Sequence, residues 1–239
     1  MKSIAAIFAA GLMLLVYSCN NSGNKKEEPK VADSVIATTP AATELVFQPF
    51  KIIMIRHAVK DYVSWKAAYL AHDSMRMAYG ISSFILGRGM IDTNVVMIMD
   101  KISDVAKAKE FSASPNLREA MQKAGVNGKP IFAYVDVIRH DAAKTAQKDR
   151  LMITHKVKDF DAWLKVYDAE GKAKRMEYGL TDRALGRGVD DPNMIYTVFV
   201  ISDMAKAKAR LASEELKKLM TDAGVEGQPE LTFYRADDR

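Results

Sequence analysis

Three pairs of side chains recur at matching places in this chain, and they are the ones best equipped for chemistry. His57 and His155 each close an apolar run and open the pattern His-x-Val-Lys-Asp. An imidazole there could accept a proton or touch a ligand at the mouth of a cavity. The plainer alternative is a histidine that hydrogen-bonds the start of the next helix, because no partner acid or nucleophile is placed beside it by spacing. Arg88 and Arg187 each lie between two glycines, in Gly87-Arg88-Gly89 and Gly186-Arg187-Gly188. Flanking glycines let backbone or ligand come close, and a guanidinium there could hold a carboxylate through two parallel hydrogen bonds. An ion pair with Asp92 or Asp191 across a turn is the alternative. Trp65 and Trp163 sit in the stripes Tyr62/Trp65/Tyr69 and Phe160/Trp163/Tyr167, whose steps of three and four put three rings on one helix face. Such a stripe is more often core than binding surface. The candidate ligand-binding set is therefore His57, Trp65, Arg88, His155, Trp163 and Arg187, with no catalytic residue assigned.

Other chemistries find little support. The chain has 4 histidines and 1 cysteine, with no His-x-x-x-His spacing for a metal. It has no Gly-x-Ser-x-Gly elbow and no P-loop. No metal and no cofactor are expected. The formal charge of +5 is spread through alternating Lys and Glu rather than gathered in a stripe with aromatics, which argues against a nucleic-acid partner. A hydrophobic fraction of 49% and a charged fraction of 27% are those of a soluble globular protein.

The N-terminus is set apart. Met1-Lys2 is followed by an apolar run, Ile4 to Val16, too short to span a bilayer comfortably. The run ends at Val16-Tyr17-Ser18-Cys19, and polar Asn20-Asn21-Ser22-Gly23 follows. This resembles a bacterial lipoprotein signal, in which a cysteine preceded by a small residue is lipidated and becomes the new N-terminus. The resemblance implies a signal peptide at 1–18 and acylation of Cys19, the partner being membrane lipid. Asn20 directly after the cysteine implies outer-membrane sorting within the bacterial cell envelope. Residues 19–49, rich in Asn, Ser, Lys, Glu, Pro, Ala and Thr, read as the lipidated cysteine and a disordered tether with a reach of roughly 30 Å.

The remainder is written twice, at 50–141 and 150–239. Gly87 recurs as Gly186 and Asp104 as Asp203, an offset of 99 (186 − 87). His57 to His155 is only 98 apart, so the second copy gains one residue within or at the end of the following helix. In each copy an apolar strand leads to a helix capped by Asp61 or Asp159 and stopped by Gly80 or Gly179. Two further strands follow, joined by turns at Asp92-Thr93-Asn94 and Asp191-Pro192-Asn193. A second helix is capped by Asp104 or Asp203 and is expected to break near Pro115 in the first copy. Last strands are expected over 131–138 and 230–234. The order is β-α-β-β-α-β, the split-βαβ or ferredoxin-like unit, in an α+β chain. Two such units can cover each other's open sheet faces and form a pseudo-dimer within one chain.

The opening His-x-Val-x-Asp-(Tyr/Phe)-x-x-Trp, the closing Ala-Gly-Val-x-Gly-x-Pro and this element order resemble the dimeric α/β-barrel superfamily that includes antibiotic-biosynthesis-monooxygenase-like domains. The resemblance implies an intramolecular α/β barrel built from two tandem ferredoxin-like units. Haem-handling relatives of this fold use a histidine that reaches the iron, but His72 is replaced by Glu170 in the second copy. Three functions stay open. One is an envelope lipoprotein that binds a small apolar or aromatic-acidic molecule between sheet and helices. Another is a cofactor-free monooxygenase-like enzyme, by resemblance alone. The third is a structural or protein-interaction lipoprotein. Glu170 against His72, and Arg183 against Phe84, imply that two sites would differ in polarity.

Overall fold

A computed structural model describes residues 47–237. The expected signal peptide, Cys19 and nearly all of the tether lie outside the described residues. The first copy supplies β1 (Phe50–Val59), α1 (Tyr62–Ala71), α2 (Asp73–Ala78), β2 (Ile81–Gly89), β3 (Val95–Ile102), α3 (Val105–Ala113), α4 (Pro115–Lys123) and β4 (Val126–His140). The second supplies β5 (Asp149–Val157), α5 (Phe160–Glu177), β6 (Leu180–Gly188), β7 (Met194–Ile201), α6 (Met204–Leu211), α7 (Glu214–Asp222) and β8 (Val225–Asp237).

Local chemistry explains the helix ends. Asp61, Asp159, Asp104 and Asp203 each accept a hydrogen bond from the backbone N–H three residues on, at 2.7–3.0 Å. The second helix breaks in both copies, although only the first has a proline there. Ser114 and Ser213 start the new helices by accepting from Leu117 and Leu216, so the serine suffices. The extra residue of the second copy is Gly171. It holds φ 78 and ψ 156 inside α5, a region essentially reserved for glycine, and kinks the helix where α1 gives way to α2 in the first copy.

All eight strands join one closed antiparallel barrel in the order β1-β3-β2-β8-β5-β7-β6-β4. The last strands are longer than their apolar stretches suggest. They start at Val126 and Val225, and their far ends pair with the other copy: β4 with β6, and β8 with β2. Closure leaves no edge strand. The two copies are a tandem dimeric-type α/β barrel.

Side chains alternate across the barrel wall. Ile52, Met97, Met99, Val135, Val137, Met152 and Tyr234 fill the interior. Ile53, Ile55 and Val59 of β1 face outward onto the helices of the first copy with Tyr62, Trp65, Tyr69 and Phe111. Leu151, Ile153 and Val157 do the same in the second. Each copy thus buries the outer face of its sheet under its own helices, and the candidate site lies in that layer.

The Gly-Arg-Gly repeats have a structural cause. A Cβ on Gly87 would meet the Tyr234 ring at 2.5 Å, and one on Gly186 would meet Val135 Cγ1 at 2.5 Å. Both glycines lie at the seams where one copy's last strand joins the other's second strand. Gly89 and Gly188 are equally confined, by the carbonyls of Asp92 and Asp191 at 2.4 and 2.5 Å. The close neighbour the glycines admit is therefore protein rather than ligand.

Candidate functional site

His57 lies on β1 opposite a register shift, and the odd-numbered residues of that strand face the helices. The imidazole is 5% exposed and meets the Trp65 ring edge-on at 5.5 Å. His155 on β5 repeats this at 6% exposure, 5.5 Å from Trp163. Trp65 stacks on Tyr69, and Trp163 on Tyr167, at 5.3 and 5.1 Å. Neither nitrogen of either histidine has a hydrogen-bond partner. Burial lowers both pKa values from 6.5 to about 4, so both rings are neutral.

Each histidine stands in the wall of a cavity between sheet and helices. Both cavities open to solvent at the mouth, and that of the second copy is the roomier. The walls are mostly apolar: Ile55, Trp65, Ile98, Phe111 and Leu117 in the first, Ile153, Trp163, Phe199, Leu216 and Leu219 in the second.

The six sequence candidates divide. His57 and Trp65 line one cavity, and His155 and Trp163 the other. Arg88 and Arg187 line neither. Their guanidinium groups lie 4.3 Å over Tyr62 and 4.1 Å over Phe160, and each Nε donates to a turn carbonyl, Thr93 or Pro192. The expected partners Asp92 and Asp191 instead accept from the backbone of Asn94 and Asn193. Phe84 and Arg183 also lie outside both cavities. Phe84 packs with Phe50 at the barrel interior, and Arg183 donates to the carbonyl of Ala143.

Other polar groups line the cavities too. Arg76 and Arg175, in the last turns of α2 and α5, are 4% and 5% exposed and lie 3.8 and 3.9 Å over the Tyr69 and Tyr167 rings. Each donates to its tyrosine's carbonyl, just before the helix breaks. Their counter-ions differ between copies. Asp100, 1% exposed, lies 3.6 Å from Arg76 and accepts from the Tyr69 hydroxyl at 2.7 Å. Its counterpart is Phe199, and Asp182 takes its place, holding Arg175 with two bonds of 2.7 and 2.8 Å. Ile98, Phe111 and His72 of the first cavity become Thr197, Arg210 and Glu170 in the second. His72 against Glu170, at an offset of 98, was already visible, and a position-by-position comparison at the 99-residue offset would have found the exchanges at Ile98, Asp100 and Phe111.

No protein-family model matches the chain, and neither does any curated protein sequence. Solved structures do match. A candidate monooxygenase of Lactobacillus acidophilus is 15% identical with a TM-score of 0.50, over 79% of this chain and 95% of that one. A candidate monooxygenase of Fusobacterium nucleatum is 13% identical with a TM-score of 0.52, over 79% and 92%. An anthrone oxidase-like protein is 10% identical with a TM-score of 0.55, over 79% and 92%. The shared feature is the α/β-barrel fold. At these identities the likeness is one of fold, and the chemistry of this barrel rests on its own cavities.

Proposed function

We propose that each copy binds a small, largely apolar molecule, aromatic or aromatic-acidic, in the cavity between its sheet and helices. His57 or His155 supplies the directed hydrogen bond. The observation that carries this is the pair of buried imidazoles with no partner at either nitrogen. Leaving a buried polar group unsatisfied costs about 1–3 kcal/mol, and the same cost stands in both copies. A ligand hydroxyl or carbonyl reaching the imidazole would offset it, and the apolar walls would supply the rest of the affinity.

Binding is favoured over catalysis on magnitude. A general base works best with a pKa near the working pH, whereas these imidazoles sit at about 4. Taking a proton from a phenol of pKa about 10 would then be uphill by roughly 8 kcal/mol. The monooxygenase reading has only the fold likeness behind it.

The chain's 2 tryptophans make the test direct, because one lines each cavity. In Trp163→Phe the remaining emission reports the first cavity, and in Trp65→Phe the second. Titration with 1-naphthol should quench both saturably, and His57→Phe or His155→Phe should weaken binding in its own cavity by roughly fivefold. Quenching that rises linearly without saturating would sink the reading.

The cellular setting belongs to the same proposal. The Ser18-Cys19 junction after the apolar run supports a lipid-anchored protein of the bacterial outer membrane. The full chain expressed in a bacterial host should sediment with membranes, and Cys19→Ser should shift it to the soluble fraction. Equal partition of both forms would remove the anchor.

A further inference from the structure

Resting on the binding reading above, we infer that the two cavities take different molecules. The second copy's cavity is built for a carboxylate-bearing aromatic, anchored by Arg210, and the first copy's for a neutral one.

Arg210 on α6 is 4% exposed, yet it makes one well-aligned side-chain bond, Nη2 to Glu170 Oε1 at 2.6 Å. Its face lies 4.4 Å over the Tyr178 ring. Nη1 is buried and has no aligned acceptor, although Glu215 Oε2 stands 2.9 Å away, off the hydrogen-bond axis. Glu215 is itself 67% exposed, lies in the first turn of α7 and also accepts from the Tyr178 hydroxyl at 3.4 Å. A guanidinium has five donors in a rigid fork. Arg175 next to it is saturated by Asp182, Glu170 and the Tyr167 carbonyl. Arg210 is not: its Nη1 has only the off-axis ion pair with Glu215, and it belongs to a side chain of the cavity wall that also holds His155. A ligand carboxylate could take that donor while Glu215 swings into water, and the ligand's ring would occupy the apolar space beside Trp163.

The first cavity's guanidinium, Arg76, also has a buried Nε without an aligned acceptor, but its counter-ion Asp100 is 1% exposed at 3.6 Å and cannot yield to a ligand as the exposed Glu215 can. Phe111 stands at the position of Arg210 and Ile98 at that of Thr197. The groove outside the second cavity carries Lys165, Lys174 and Lys218 but also Glu170, Glu215 and Asp222, so the approach is balanced in charge and the selectivity rests on Arg210. The plainer role for Arg210 is a fastener of α6 to α5 through Glu170, and the test separates the two.

Full-length chain carrying Trp65→Phe is titrated with 1-naphthoate and 1-naphthol while Trp163 emission is followed, and the Trp163→Phe chain gives the same pair for the first cavity. Naphthoate should bind more tightly than naphthol at Trp163 and more weakly at Trp65. Adding Arg210→Phe, the residue the first copy uses, should weaken naphthoate at Trp163 by roughly 10- to 100-fold and leave naphthol near its starting affinity. A fastener alone would move both probes together. Glu215→Ala removes the competing carboxylate from an exposed position and should tighten naphthoate several-fold. It decides the matter if Arg210→Phe disturbs the fold. Naphthoate binding indifferent to Glu215→Ala, or to Arg210→Phe with naphthol retained, overturns the inference and leaves the binding reading standing. Absence of saturable quenching by either probe in the parent chains overturns both.

Discussion

Burial strips the cavity imidazoles of water and holds them neutral, with pKa values of about 4 against 6.5 in the unfolded chain. The consequence for stability has a definite sign. Between those values the unfolded state binds a proton that the folded state does not, so stability rises with pH across the window. It is fully present above about 6.5, falls as pH drops toward 4, and levels off below. The expected loss is about 3 kcal/mol per histidine. Carboxylates held low by partners, such as Asp168 beside Arg139, add their own loss further down. The comparison is therefore with His57→Phe and His155→Phe, whose urea midpoints at pH 7 and pH 4.5 should differ less than those of the parent chain. Equal differences in all three would mean the rings are hydrated or partnered. At this scale the histidines and tryptophans were legible in the sequence because both copies keep them at the same strand end and helix face. The arginines between glycines fall outside both cavities, and a guanidinium stacked on Tyr62 or Phe160 looks the same in sequence as one in a cavity wall. Arg210 was hidden for the opposite reason: it occurs once, in a Lys-rich helix that reads as solvent-facing.

Element by element, strand and helix order was readable because the apolar periods, aspartate caps and glycine stops agree in both copies. What was not readable was set by partners distant in sequence. The ends of β4 and β8 carry no continuous apolar run and are extended because β6 and β2 of the other copy supply hydrogen bonds there. The repeated glycines carry the same information in disguise. Gly87 and Gly186 mark where Tyr234 and Val135 must lie flat against a neighbouring strand, a requirement with no local signature. The one-residue excess in the second copy was visible as a change of offset, but only the positive φ of Gly171 fixes where the helix absorbs it. That kink matters to the site. It carries the chain from Tyr167 to Arg175 in eight steps, where Tyr69 reaches Arg76 in seven, and still sets each arginine over its tyrosine. Glu170, at the start of the kink, is thereby placed between Arg175 and Arg210.

For the molecule as a whole, the copies depend on each other through the barrel interior and its two seams. Ile52, Met97, Met99, Val135 and Val137 of the first copy are covered by Met152, Tyr196, Val198 and Tyr234 of the second. Burying such side chains contributes about 1.5–3 kcal/mol apiece, on the order of 10 kcal/mol for five, which matches the whole stability of an ordinary domain. A first copy expressed alone, residues 50–141, cannot leave that face in water. It also carries both halves of a seam: the β4 segment with Val135 that normally lies over Gly186, and the matching Gly87 of β2. Two such chains can rebuild the barrel about a two-fold axis, with Val135 of each over Gly87 of the other. Sedimentation velocity on the isolated copy should therefore show a dimer whose unfolding midpoint rises with concentration. Adding the isolated second copy should drive exchange into a one-to-one pair, because the barrel interior is filled by one Val135 and one Tyr234, and two valines or two tyrosines would not reproduce that volume. A folded monomer that stays monomeric as concentration rises would mean that the copies are independent domains, and that seam closure contributes little to either cavity's shape.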